Sequence, residues 1–166
     1  MVVNQARSLL NGFEPGDPAA CERHRQAVEL VAEIAEVDEI KRETRARVAT
    51  AVAASGTTLT EIFGIGPIIA AMLIGYSGDP TRFTSAGHYA AFNGTAPVEF
   101  SSGGRTVHRV SRRGNRRLNH ALHCAAITQI RYPHSQGRVF YDRKLAEGHT
   151  PREAIRALKR RLSDVV

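Results

Sequence analysis

The sequence predicts a mainly α-helical protein: a long, coiled-coil-like helical arm followed by a compact helical domain with a helix-hairpin-helix and one long basic loop. Three observations lead there. Apolar residues recur at helical spacing over most of the 166 residues. Glycine and proline cluster between the periodic segments, at Asn11 to Ala20, Gly64 to Pro67 and Gly78 to Pro80. The alternating stretch Thr106 to Val110 permits a short hairpin but is too brief to establish a sheet.

Residues 1–10 suit a short helix, which the Gly/Pro/Asp stretch from Asn11 to Ala20 must break. From Arg23 to Ala54 the pattern is helical. Ala27, Leu30 or Val31, Ile34 and Val37 form one stripe, and Thr44, Val48 and Val52 roughly continue it past Lys41. The charges between them alternate in sign, as on the outside of a paired helix. A helix this long with so narrow a stripe needs a partner, either another helix of this chain or a second copy. Gly56 ends it, so the expected division is an arm and linker over 1–56 and a helical domain over 57–166.

Thr57 to Phe63 is expected to start a second, short helix. The Gly64-Ile65-Gly66 turn lets the chain reverse, and Pro67 suits the first position of the next helix, where its missing N–H costs nothing. Such a turn brings backbone N–H groups at a helix start within reach of a phosphate, so Gly64 and Gly66 are candidate nucleic-acid contacts. A tight turn between two buried helices without a ligand fits the same residues. Asp79-Pro80 opens a turn, and Phe83 to Phe92 reads as a helix capped by Thr84 and stopped near Gly94. Asn115 caps the next helix, whose apolar face is Leu118, Leu122, Ala125, Ala126 and Ile130. Helices about Arg138–Glu147 and Arg152–Asp164 follow, the last introduced by Thr150-Pro151-Arg152-Glu153, a capping box with proline.

Charge is unevenly spread. Residues 1–60 carry seven Lys/Arg against nine Asp/Glu, and residues 61–166 carry sixteen against seven. From Phe100 to Tyr141 there are eight arginines, four histidines and no carboxylate. A one-signed field of this kind attracts phosphate and releases counterions on binding. The candidate phosphate ligands are Arg105, Arg109, Arg112, Arg113, Arg116 and Arg117, with Asn115 and His120 in the helix start beside them. This cationic stretch and the glycine turn are expected to converge on one face.

Other chemistry finds less support. Cys21 and Cys124 are far apart and form no C-x-x-C pair, which argues against a disulfide framework or zinc ribbon and for a cytoplasmic home. His120 and Cys124 share a helix face, but no second ligand pair lies nearby, so Cys124 reads as core. Tyr132, Phe140 and Tyr141 read as packing residues rather than base stackers. The longest apolar stretch, Ile62 to Ile74, is thirteen residues broken by two glycines and a proline, too short for a bilayer, and no secretory signal precedes it.

Four segments follow one another: Gly64-Ile65-Gly66-Pro67, Gly78-Asp79-Pro80 to Phe83, Ser101-Ser102-Gly103-Gly104, and Arg113-Gly114-Asn115-Arg116-Arg117-Leu118. In this order, over about Leu59 to Val166, they resemble the C-terminal domain of insertion-sequence transposases related to the Piv-type DNA invertases. Residues 23–54 resemble the family's helical coiled-coil insert, and Asn4 to Leu10 the segment leading into it. The resemblance implies a site-specific recombinase acting on DNA through a serine nucleophile, with Ser102 the first choice and Ser101 the second. It also implies a structured guide RNA as a further partner, and homo- or hetero-oligomers through the arm. In the family an N-terminal ribonuclease-H-like domain supplies four metal-binding carboxylates, so Mg2+ is expected only with that domain. Residues 1–58 offer helices and a linker instead of its alternating strands and helices, and Glu14, Asp17, Glu22 and Glu29 read as surface charge. The chain therefore resembles a truncated or split transposase, with a non-catalytic nucleic-acid-binding module or a regulator of an intact transposase as the alternative. Asn119, where the family more often has arginine, implies one phosphate contact fewer.

Overall fold

The computed structural model describes residues 2–102, 105–110 and 114–166, with Val2, 98–102 and 105–110 described by backbone alone. The chain divides into two units, Met1–Thr50 and Ala51–Val166.

In the first unit, helix α1 (Val2–Asn11) gives way to a bend and then to α2, which runs over Pro18–Ala54 and so ends in the second unit. Asp17 starts α2: its Oδ1 accepts from Ala20 N at 2.7 Å, and Pro18 takes the first turn, where no N–H is required. His24 Nε2 bonds to Leu10 O at 2.9 Å, tying the end of α1 to α2, and the Phe13 ring lies 5.8 Å from the His24 ring. Exposed pairs at helical spacing link Arg25 to Glu22 and Glu29, Lys41 to Asp38, and Arg42 to Glu39. Leu30, Ile34, Val37 and Ile40 remain exposed along α2.

The second unit is built around α5 (Arg116–Arg131), which packs against α3 (Pro67–Ser77), α4 (Ala86–Asn93), α6 (Gln136–Ala146) and α7 (Pro151–Val165). Ala121, Ala125 and Ala126 are fully buried on α5, small enough to let the neighbours approach, and Leu118 and Leu122 fill the space between them. Ile65, Ala70, Leu73, Ala90, Ala154 and Leu158 complete the core from the other elements. Fully buried Asn93 is satisfied: its amide donates to Ser163 Oγ at 2.7 Å, and its oxygen accepts from Thr95 N and Oγ1. The capping box before α7 forms as expected between Thr150 and Glu153. No described helix is long and apolar enough to cross a membrane.

Three local expectations need correction. Thr57 to Phe63 yields only a 3-10 turn at Leu59–Glu61, because the chain is already bending toward Gly64. The cap of α4 is Ser85, whose hydroxyl accepts from His88 N, rather than Thr84; Pro80–Arg82 forms its own 3-10 turn capped by Asp79, and Phe83 is extended between the two. The basic stretch is not a loop throughout: strands β1 (Pro97–Ser102) and β2 (Arg105–Val110) pair as an antiparallel hairpin. The pairing runs well beyond the five alternating residues Thr106 to Val110, since Val98-Glu99-Phe100-Ser101 alternates as well and supplies the partner strand.

Candidate nucleic-acid interface

Gly64 has φ +88°, a left-handed conformation that favours glycine, and a Cβ there would stand 2.9 Å from Ala125 O. The turn therefore presses directly on α5. Gln129 Nε2, from α5, donates to Phe63 O at 2.6 Å, and Ile65 N donates to Ile62 O at 2.9 Å. Buried Ile65 anchors the turn from within. Gly66 caps α3 with extended backbone and open space around it, and Gly66, Pro67 and Ile68 are exposed. With no side-chain cap, the first-turn N–H groups of Ile68 and Ile69 lack an intrahelical partner, an arrangement that accepts an anion.

At the other end of α3, the start of α5 has a different character. Asn115 Oδ1 accepts from Arg117 N at 3.0 Å and Leu118 N at 3.2 Å, so this side chain is committed to capping the helix. Arg116 and Arg117 follow, both exposed, and among the described residues neither enters an ion pair. Cations oppose the helix dipole at an N-terminus, typically by about 0.3–1 kcal/mol each, and no acidic residue occupies this first turn. The two arginines are placed against the helix's own preference. The Arg117 guanidinium lies 5.7 Å from the centre of the Tyr76 ring at the end of α3. His120 is exposed one turn on, its Nε2 3.5 Å from Cys124 Sγ.

Backbone register positions the remaining candidates. Ser102 pairs with Arg105, Ser101 with Thr106 and Val98 with Arg109. Because successive positions alternate between faces, Ser102 falls on the same face as Arg105 and Arg109, whereas Ser101 shares the other face with Glu99 and His108. Arg112 and Arg113 lie outside the described residues, as do Gly103 and Gly104.

The hairpin is rooted by two glycines. Gly94 ends α4 with φ 73°, and a Cβ on Gly114 would come within 2.4 Å of Gly94 Cα, so the two backbones touch where only glycine fits. Asn115 N donates to Phe92 O at 2.7 Å beside this contact. Asn119 secures it further: its Nδ2 donates to Asn93 O and Gly94 O, and its Oδ1 accepts from Lys159 Nζ at 2.5 Å. Position 119 thus faces inward as a staple, its polar atoms committed to the hairpin root and Lys159. Burial, and then Arg156, lowers the pKa of Lys159. His123 is exposed, but partial desolvation against its neighbours lowers its pKa too, with Lys159 and His120 adding to it. Lys159 escaped notice in the sequence because α7 carries many cations and only packing shows which one turns inward.

Among the described residues, the glycine turn and the two arginines of α5 stand apart along that helix. Gly64 contacts Ala125, Thr128 and Gln129 in the second half of α5, while Arg116, Arg117 and the hairpin root sit at its first turn. Along α5 the separation is roughly 12–18 Å, at about 1.5 Å per residue. The physical reason is that α3 runs antiparallel to α5: the turn that starts α3 must meet the end of α5. Cys124 is half-buried, and among the described residues no group of three or more His, Cys, Asp or Glu side chains could hold a metal ion.

Comparison with known proteins bears on this geometry. Residues 56–142 match the family described as Transposase IS116/IS110/IS902. Over 110 residues the chain is 36% identical to the insertion element IS110 uncharacterized 43.6 kDa protein of Streptomyces coelicolor, aligning 65% of this chain with 27% of that protein. It is 38% identical over 110 residues to the insertion element IS900 uncharacterized 42 kDa protein of Mycobacterium paratuberculosis, with 62% and 26% covered. It is 32% identical over 106 residues to the transposase for insertion sequence element IS1328 of Yersinia enterocolitica, with 63% and 31% covered. The chain spans under a third of the length of each of these relatives.

Proposed function

Because the chain belongs to the IS116/IS110/IS902 transposase family, we propose that its second unit grips DNA by the phosphate backbone and supplies the serine nucleophile for strand cleavage in transposition. The observation that carries the proposal is the pair Arg116 and Arg117, exposed on the first turn of α5 directly after the hairpin bearing Ser101 and Ser102. In that reading the Ser102 oxygen bonds to phosphorus and displaces a deoxyribose oxygen, which takes up a proton. Arg105, Arg109, Arg112 and Arg113 neutralise the charge that builds on the phosphate. The hairpin register supports Ser102 over Ser101, because it sets Ser102 on the arginine-bearing face. In this reading the carboxylates and Mg2+ would come with a ribonuclease-H-like domain, as the resemblance implies. The glycine turn forms a second, separate phosphate contact at Gly66 and the start of α3.

The arm is the oligomerising element in the same proposal. Counting Ala27, Ile34, Lys41 and Val48 as one heptad position and Leu30, Val37, Thr44 and Ala51 as the other, a parallel second copy would set Lys41 on its own counterpart and Glu33 against Asp38. Reversed, Lys41 faces Val37 and Glu33 faces Arg47, leaving Asp38 against its own counterpart as one like-charge contact where the parallel pair has three. Charge therefore favours an antiparallel pair.

The test measures duplex binding across a salt series. Binding should weaken steeply with salt, and Arg116→Ala and Arg117→Ala should each reduce the slope by about one. Slopes equal to that of the parent chain would remove the proposed grip. Supercoiled DNA, Mg2+ and a polypeptide carrying the carboxylate domain then probe the serine: a covalent protein–DNA adduct should form and vanish in Ser102→Ala. Binding with no adduct under any complementation favours a non-catalytic module or regulator, and stronger competition by folded RNA than by duplex favours a guide RNA as ligand.

A further inference from the structure

Phe63, Tyr132 and His134 come from two distant segments and meet at the surface of the second unit. Their ring centroids are 5.4, 5.4 and 5.7 Å apart, all in edge-on contacts. Phe63 remains 43% and Tyr132 48% exposed, and His134 is exposed as well. Tyr132 is thus not the packing residue its helical context suggests, whereas Phe140 and Tyr141 are half-buried. An ordered, exposed aromatic cluster is informative where a scattered exposed leucine is not.

The cluster stands on a backbone fixed from below. Gln129, 6% exposed, ties both segments together: its Nε2 donates to Phe63 O, and its backbone carbonyl accepts from Tyr132 N at 3.2 Å and from Ser135 Oγ at 2.5 Å. Gly137 makes room for that glutamine, since a Cβ there would stand 1.9 Å from Gln129 Oε1. Exposed Arg131 directly precedes Tyr132 in the chain. Arg138 lies one turn into α6, donating to Ile130 O at 3.3 Å and paired with Asp142.

We propose that Phe63, Tyr132 and His134 form a stacking platform for an unpaired nucleobase of a single strand. Rigid aromatic surface beside cationic side chains is the combination that single-stranded nucleic acid uses, and it is tolerant of base type because every base has a π-face. The platform lies at the end of α5 remote from Arg116 and Arg117, a separation that a strand of a few nucleotides bridges. The inference rests on the reading of this unit as a nucleic-acid grip, but its outcome is separable from that reading.

The full chain contains no tryptophan, so Tyr132→Trp places a lone indole on the platform. Its emission should be quenched by 20-nucleotide dT or U single strands, and the strand that quenches at lower concentration identifies DNA or RNA as the source. Phe63→Leu combined with Tyr132→Leu should weaken single-strand binding roughly 5- to 150-fold while changing duplex affinity less than about twofold. Unquenched indole at saturating strand, or equal losses on single strand and duplex, overturns the platform. Neither result touches the salt-slope test of Arg116 and Arg117, which judges the backbone grip by itself.

Discussion

Asn119 holds two backbone carbonyls with its amide nitrogen and a half-buried ammonium with its oxygen, so one side chain ties the hairpin root to α5 and α7. Truncating it strands all three partners in a place water reaches poorly. Asn119→Ala should therefore lower stability by about 1–3 kcal/mol. In urea denaturation this appears as a lower midpoint with an unchanged slope, and an unshifted midpoint would show that the staple carries no weight. Tyr132 and Asn119 share a lesson at this scale. Their chemistry was visible in the sequence, but which way each faces depends on which helix packs above it, and residue spacing within one helix does not contain that information.

Elements were easier to read where local chemistry fixes both ends. Pro67, Asn115 and the Thr150–Glu153 pair each mark a helix start that the structure retains, because a cap is a contact within one turn of chain. The α4 cap was misplaced by one residue since Thr84 and Ser85 are both competent, and the choice falls to the extended Phe83 before them. The hairpin is underestimated for a related reason: strand pairing is a contact between segments, and the short alternation Val98 to Ser101 gains its meaning only beside the partner strand. For α2, the exposed stripe of Leu30, Ile34, Val37 and Ile40 gives a direct test of the proposed arm. A charge inserted there faces the second copy and costs far more than on a solvated face. Ile34→Asp or Val37→Asp should convert a dimer to a monomer in sedimentation equilibrium, whereas an unchanged mass would remove α2 from the interface.

Across the whole molecule, acid sensitivity follows from one imidazole. Partial desolvation holds His123, which remains exposed at its outer edge, below its ordinary value of about 6.5, helped by Lys159 and His120. As pH falls through 6.5 the unfolded chain takes up this proton first, so stability declines from there and levels off below the folded value. The denaturation midpoint should be lower at pH 5.5 than at pH 7.5, and His123→Gln should narrow the difference. A gap unaltered by that substitution would locate the acid sensitivity elsewhere. The candidate site was legible as a list of residue types and opaque as an arrangement: the glycine turn and the arginines were both evident, but the antiparallel run of α3 against α5 that sets them apart is a property of packing. The abutting backbones of Gly94 and Gly114 carry one more implication. The two crossings of the chain are held together by backbone alone, so an alanine at position 114 would wedge them apart at this seam before it disturbed the helices beneath.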